Sequence, residues 1–133
     1  MFALPVTDAL RGLKSADFYA PGSLFRVEPN TASPLTATFT APTPAVWFEE
    51  SPAFTITDAS RATAVLQYPA SGSALLSGWL LGAPRLNGTA AMVDVRVGQG
   101  HVVLYGFRPQ YRSQTNATWP LIWSAIARSA VRQ

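Results

Sequence analysis

Few side chains in this 133-residue chain are equipped for catalysis. His101 is the only histidine, cysteine is absent, and seven carboxylates face ten basic residues, of which only Lys14 is a lysine. A zinc site takes three or four ligands, mostly His or Cys, so a lone histidine falls short and no bound metal is expected. The lack of cysteine also removes disulfides and thiol nucleophiles. Glu49 and Glu50 are adjacent, so in a strand they point to opposite faces and cannot form an acid–base pair. Asp94 lies in a predicted hairpin, while Asp8, Asp17, Glu28 and Asp58 are scattered through loops and element ends. Neither Gly72-Ser73 nor Leu76-Ser77-Gly78 completes a G-x-S-x-G elbow. Gly98-Gln99-Gly100 joins two strands and opens no phosphate-cradling helix. These patterns nominate no catalytic residue and no cofactor.

One stretch is denser in polar groups: Leu104-Tyr105-Gly106-Phe107-Arg108-Pro109-Gln110-Tyr111-Arg112-Ser113-Gln114. An apolar strand delivers Arg108, Pro109 and Gln110 to its C-terminal end, just ahead of the last helix. Ligands of open α/β sheets gather at that end of the strands. Arg108, Gln110, Tyr111, Arg112 and Gln114 are therefore the candidate ligand-binding residues. Paired guanidinium groups suit a small anion or a peptide carboxylate. Millimolar affinity there corresponds to ~4 kcal/mol. The competing role is structural, with Arg108 and Arg112 bonding loop carbonyls and capping neighbouring elements.

Patterning places the elements that would hold these residues. Residues 7–14 read as a short helix capped by Thr7 or Asp8. Residues 23–28 read as a strand after the Ala20-Pro21-Gly22 turn. The Thr-, Ala-, Ser- and Pro-rich run from 29 to 44 is a surface excursion with a short strand near Thr38-Phe39. Strands are expected at 45–49, 53–56, 62–68 and 75–81. The clearest hairpin pairs the alternating 92–97 with 101–105, and Gly98 suits the first central position of a type II′ loop. The returning strand is apolar on both faces, which favours a covered, layered α/β sheet. The final helix has Thr118 as N-cap and Pro120 in its first turn. Trp119, Ile122, Trp123, Ile126 and Ala130 follow at helical spacing, and Arg128 and Arg132 complement the dipole at its C-terminal end.

Composition bounds the class. With 48% hydrophobic and 13% charged residues the chain is not disordered. No apolar run approaches the ~18 residues of a membrane span, so a membrane partner is not expected. The net charge is +3, but the arginines are spread along the whole sequence, so a nucleic-acid partner is not expected either. No basic, apolar leader follows Met1, so any export signal of a parent protein lies outside this chain.

Three segments carry a resemblance. Phe18-Tyr19-Ala20-Pro21-Gly22-Ser23-Leu24, Gly78-Trp79-Leu80-Leu81-Gly82 and residues 98–112 resemble the C-terminal region of bacterial zinc carboxypeptidase-like proteins, over most of the chain from Phe18 to the last helix. Those proteins pair an N-terminal metallopeptidase domain with a domain similar to class I glutamine amidotransferases, which is flavodoxin-like. Amidotransferases place a Phe-His-Pro-Glu segment before their last helix; this chain reads Phe107-Arg108-Pro109-Gln110. Arg108 stands at the general-base position, and an arginine is not deprotonated in proteins. Gln110 replaces the orienting carboxylate, and the cysteine nucleophile is missing. The zinc ligands of the metallopeptidase domain have no counterpart either. The resemblance therefore implies the architecture without either chemistry.

The expectation is one domain over residues 1–133, the C-terminal fragment of a larger protein. It is α/β or α+β: a mixed sheet of about six strands with a C-terminal helix, resembling the latter part of an amidotransferase-like domain. Its expected role is that of a non-catalytic accessory or assembly domain of a zinc carboxypeptidase-like metallopeptidase. The alternative is a small-ligand or peptide-carboxylate binding module using the Arg108–Arg112 loop. The expected partners are the upstream metallopeptidase domain and a second copy, since a low charged fraction and a heavy aromatic load favour self-association.

Overall fold

The structure, a computed structural model, describes residues 3–41 and 44–131. Its strands are β1 (Val6–Asp8), β2 (Ser23–Arg26), β3 (Glu28–Pro29), β4 (Ala45–Phe48), β5 (Phe54–Ile56), β6 (Ala62–Gln67), β7 (Leu75–Ser77), β8 (Ala90–Val97) and β9 (Gly100–Tyr105). They are followed by the helix α1 (Trp119–Ala130).

The β8–β9 hairpin forms as its alternation predicts. Val97 pairs with Gly100, leaving Gly98 and Gln99 as a two-residue loop. Gly98 has φ of 59°, the positive value that the first position of a type II′ loop demands. β8 is the spine of the larger sheet, in the order β1-β5-β8-β6-β3, with β9 also paired to β8. A smaller sheet runs β4-β2-β7. Every pairing between these strands is antiparallel. The fold is α+β, the second of the two classes expected, with two antiparallel sheets in place of one mixed sheet. Nor do these residues form the parallel sheet of a flavodoxin-like domain: parallel neighbours are usually joined by a crossover helix, and among the described residues the one α-helix comes only after the last strand.

Each face of the larger sheet is buried by different residues. Met92, Val103 and Tyr105 face the main core, with Phe25 and Phe48 of the smaller sheet and with Leu35, Tyr68 and Leu121. On the opposite face Val93, Val95 and Leu104 meet Val6, Phe54 and Ile56. Both faces are covered at β8, whereas the coverage was expected of the returning strand β9, where it holds only in part, for Val103, Leu104 and Tyr105. The outer part of β9 is different, since Gly100, His101 and Val102 are exposed. Gly106, just after β9, allows a close chain crossing. A Cβ there would run into the carbonyl oxygens of Pro52 and Ala91.

Several sequence expectations are corrected. Residues 7–14 are no helix: β1 occupies Val6–Asp8 and turns follow. Asp8 Oδ1 accepts from the amides of Leu10 and Ala53, so the residue chosen as a helix cap stitches a turn to the strand opposite. No strand forms at Thr38-Phe39; a 3₁₀ turn at Pro34–Thr36 takes that region into the core through Leu35. The strand expected over 23–28 ends at Arg26, and the one over 75–81 ends at Ser77. Thr118 does not cap α1 with its side chain; its hydroxyl donates instead to the carbonyl oxygen of Pro109 at 2.6 Å. Pro120 sits in the first turn and Arg128 in the last, as expected, while Arg132 lies outside the described residues.

The buried stripe of α1 is also not the one its spacing suggested. Leu121 is fully buried and Ala125, one turn on, packs against the core. Trp119, Trp123 and Ile126 turn outward with 41%, 61% and 53% of their surface exposed.

Candidate functional site

The five residues nominated from sequence occupy the segment linking β9 to α1. The Arg108 amide donates to the carbonyl oxygen of Trp47 in β4, which fixes the segment against the smaller sheet. The Arg108 guanidinium pairs with Glu49 at 3.2 Å, and the Trp47 indole N–H donates to the same carboxylate oxygen at 3.3 Å. Tyr111 stacks on Trp47, with ring centroids 5.3 Å apart and planes 11° from parallel. The Arg108 and Arg112 guanidinium carbons lie 5.4 and 5.2 Å from the centre of the Tyr111 ring, within cation–π range. Arg112 and Ser113 hold φ of 44° and 56°, a left-handed conformation that costs a side-chain-bearing residue energy.

Arg108, Tyr111 and Arg112 thus come together, as the sequence suggested, around an aromatic stack. Gln110 and Gln114 are exposed; the Gln114 amide donates to the Tyr111 carbonyl and helps close the turn. Arg108 is already committed to Glu49, so the loop offers one cation, Arg112, that is uncommitted among the described residues, where two were anticipated.

A second cluster lies on the core-facing side of the hairpin, toward its loop end. With Val97 opposite Gly100, Arg96 faces His101 and Asp94 faces Val103, so all four side chains share one sheet face. His101 Nδ1 lies 2.8 Å from Asp94 Oδ1. Arg128, from the last turn of α1, brings Nη2 to 3.5 Å from Asp94 Oδ2 and 3.4 Å from His101 Nε2. Asp94 itself is recessed, with 12% of its side chain exposed. Thr63 on β6 is opposite Asp94 in the sheet and extends the same surface. These side chains, with Asn30, Ser33, Ser60, Arg61 and Arg96, line a cleft of about 310 Å³.

No family model, curated protein or solved structure matches this chain. What the cleft can do follows from its own chemistry. A carboxylate holding one ring nitrogen of a histidine is an arrangement that orients the other nitrogen for proton transfer. Here that second nitrogen faces the Arg128 guanidinium, and no hydroxyl among the described residues is hydrogen-bonded to it. Among the described residues the cluster therefore holds no hydroxyl in position to act as nucleophile. Nor do the residues fit the zinc of a metallopeptidase centre. Among the described residues no three His, Asp or Glu side chains stand close enough together to share a metal ion.

Sequence reasoning treated His101 and Asp94 separately and missed their contact. The signal was present: a two-residue loop at 98–99 fixes every cross-strand pair in the hairpin, and period-two alternation puts Asp94 and His101 on one face. Arg128 and Arg61 carried no such signal, because their arrival depends on how α1 and the turn before β6 pack.

Proposed function

We propose that this chain is a non-catalytic accessory domain whose role is assembly. The observation that carries the reading is the outward stripe Trp119, Trp123, Ile126 on α1, at spacings of four and three residues, with no charged side chain in it. Residues so spaced lie on one helix face, and a contiguous apolar face exposed to water marks a docking surface. The partner proposed for that face is a second copy of the chain. Such a stripe is self-complementary across a two-fold axis, the commonest symmetry of homodimers. Three side chains bury far less than the ~800 Å² per partner of a standard interface, so the association is weak and depends on concentration. Light scattering from low to high micromolar concentration tests it. The mass should rise toward a dimer with concentration, and Trp123→Ser should hold the chain at 14.3 kDa. A wild-type chain that stays monomeric throughout, or a loss of dimer on Trp79→Ser instead, overturns the assignment to α1.

The parent we propose is a zinc carboxypeptidase-like metallopeptidase, with its catalytic domain upstream as the other partner. This rests on the resemblance of residues 18–24, 78–82 and 98–112. The coding sequence preceding this chain tests it: an in-frame His-x-x-Glu segment supports the assignment, and an unrelated reading frame ends it. A second reading, carboxylate binding at the Arg108 loop, is favoured by the exposed guanidinium of Arg112 lying over Tyr111.

A further inference from the structure

Three arginines from three separate elements line the cleft at the loop end of the β8–β9 hairpin: Arg61 from the turn before β6, Arg96 from β8 and Arg128 from α1. Guanidinium groups brought together repel unless something negative lies between them. The lining supplies one carboxylate, Asp94, and both its oxygens are already engaged, Oδ1 by His101 and Oδ2 by Arg128. Asp58 attracts Arg61 from outside the lining. Arg96 gives one N–H to the Ser60 carbonyl at 3.2 Å, which holds its planar fork at the cleft wall with its other donors uncommitted among the described residues. Arg61 makes no ion pair within 4 Å among the described residues. The cleft is thus rich in N–H donors aimed from several directions and poor in acceptors.

We propose that this cleft binds a compact phosphate group, as inorganic phosphate or as a small phosphate monoester. A tetrahedral dianion presents oxygens in the separate directions from which Arg61, Arg96 and Arg128 arrive. A carboxylate carries half the charge and offers its lone pairs in one plane, so it matches fewer of three guanidinium groups than a tetrahedral dianion does. The Thr63 hydroxyl on the same wall adds a further donor. Size limits the rest of the ligand: about 310 Å³ is the lower end of small-molecule sites. Chemistry limits it too, because the lining has no Phe, Tyr or Trp on which a nucleobase could stack. This site is distinct from the Arg108 loop and independent of the assembly role of α1's outer face.

The test is an NMR titration of the whole chain, following backbone amides and arginine Nε–H signals at constant ionic strength. The probes are inorganic phosphate, methyl phosphate and acetate. Saturating shifts are expected at residues 60–63, 94–96 and 101 and at the side chains of Arg61, Arg96 and Arg128. Acetate should bind at least ten-fold more weakly. Equal responses to the two phosphates mean that the cleft admits an ester, and a response to inorganic phosphate alone means that it takes the free ion. Arg96→Gln should weaken binding ten-fold or more, while Arg112→Gln changes it less than two-fold. Both side chains are exposed, so neither substitution opens the core. Should Arg96→Gln nonetheless unfold the chain, Arg61→Gln carries the same expectation. Shifts that follow ionic strength without saturating overturn the proposal, as does acetate binding equal to phosphate. Shifts confined to residues 108–114 and abolished by Arg112→Gln overturn it in favour of the other loop.

Discussion

Tyr68 is wholly buried against Phe25, edge to face at 6.1 Å, and its hydroxyl has no hydrogen-bond partner among the described residues. Leaving a buried donor unpaired costs its desolvation and returns nothing. Tyr68→Phe is therefore expected to stabilise the fold by about 1 kcal/mol, seen as a higher denaturation midpoint in urea. The same burial pushes the Tyr68 hydroxyl far above its ordinary ionisation range. Tyr105, whose hydroxyl donates to the Leu121 carbonyl, is shifted upward by burial as well. The unfolded chain releases these protons first, so their contribution is intact below pH ~10 and is lost as pH rises beyond it. Denaturation between pH 8 and 12 should show wild-type stability falling above pH ~10 and Tyr68→Phe falling less steeply. A parallel decline in both proteins would show that other groups govern alkaline unfolding. At this scale Asp94 beside His101 was readable from the hairpin register, yet it was missed because each residue was weighed on its own. The sequence was silent about Tyr68, because the lack of a partner is a property of the packed core.

The elements divide by how local their causes are. The β8–β9 hairpin could be read directly, since alternation and the glycine at its loop act within a few residues. The helix expected at residues 7–14 failed because Asp8 serves as an acceptor for Ala53, a partner 45 residues away. The face of α1 was misread for a related reason. Its largest apolar residues promised the buried stripe, but the groove between β9 and the Pro34–Thr36 turn accepts Leu121 and Ala125 instead. A direct inversion follows. Leu121→Ala should cost about 3 kcal/mol, as expected of a fully buried leucine. Trp123→Ala, at the larger residue, should cost less than about 0.5 kcal/mol in the monomer. Chemical denaturation of both variants at low micromolar concentration measures the pair, and a Trp123→Ala cost matching that of Leu121→Ala would mean that the helix docks through its other face.

For the molecule as a whole, the C-terminal helix and a sheet-based fold were legible from the patterning, but the class stood open between α/β and α+β until the structure decided it. The division into two antiparallel sheets was not legible, because β2 ends at Arg26 and β3 restarts at Glu28, so that neighbouring residues serve different sheets. Tryptophan placement makes the quaternary consequence measurable. Trp47 stacks on Tyr111, whereas Trp79 and Trp123 are more than 60% exposed and Trp119 more than 40%. Most of the indole surface of a monomer therefore faces water, and its fluorescence should lie toward the red and be readily quenched by acrylamide. Pairing through α1 would cover Trp119 and Trp123 and leave Trp79 unchanged, since Trp79 follows β7 of the smaller sheet and is not part of α1. Raising the concentration across the association range should thus shift emission to the blue and protect part of it from quenching. The effect should persist in Trp79→Phe and vanish in Trp123→Phe. A concentration-dependent mass accompanied by loss of the shift in Trp79→Phe alone would move the interface to the smaller sheet and leave α1's outer face without its partner.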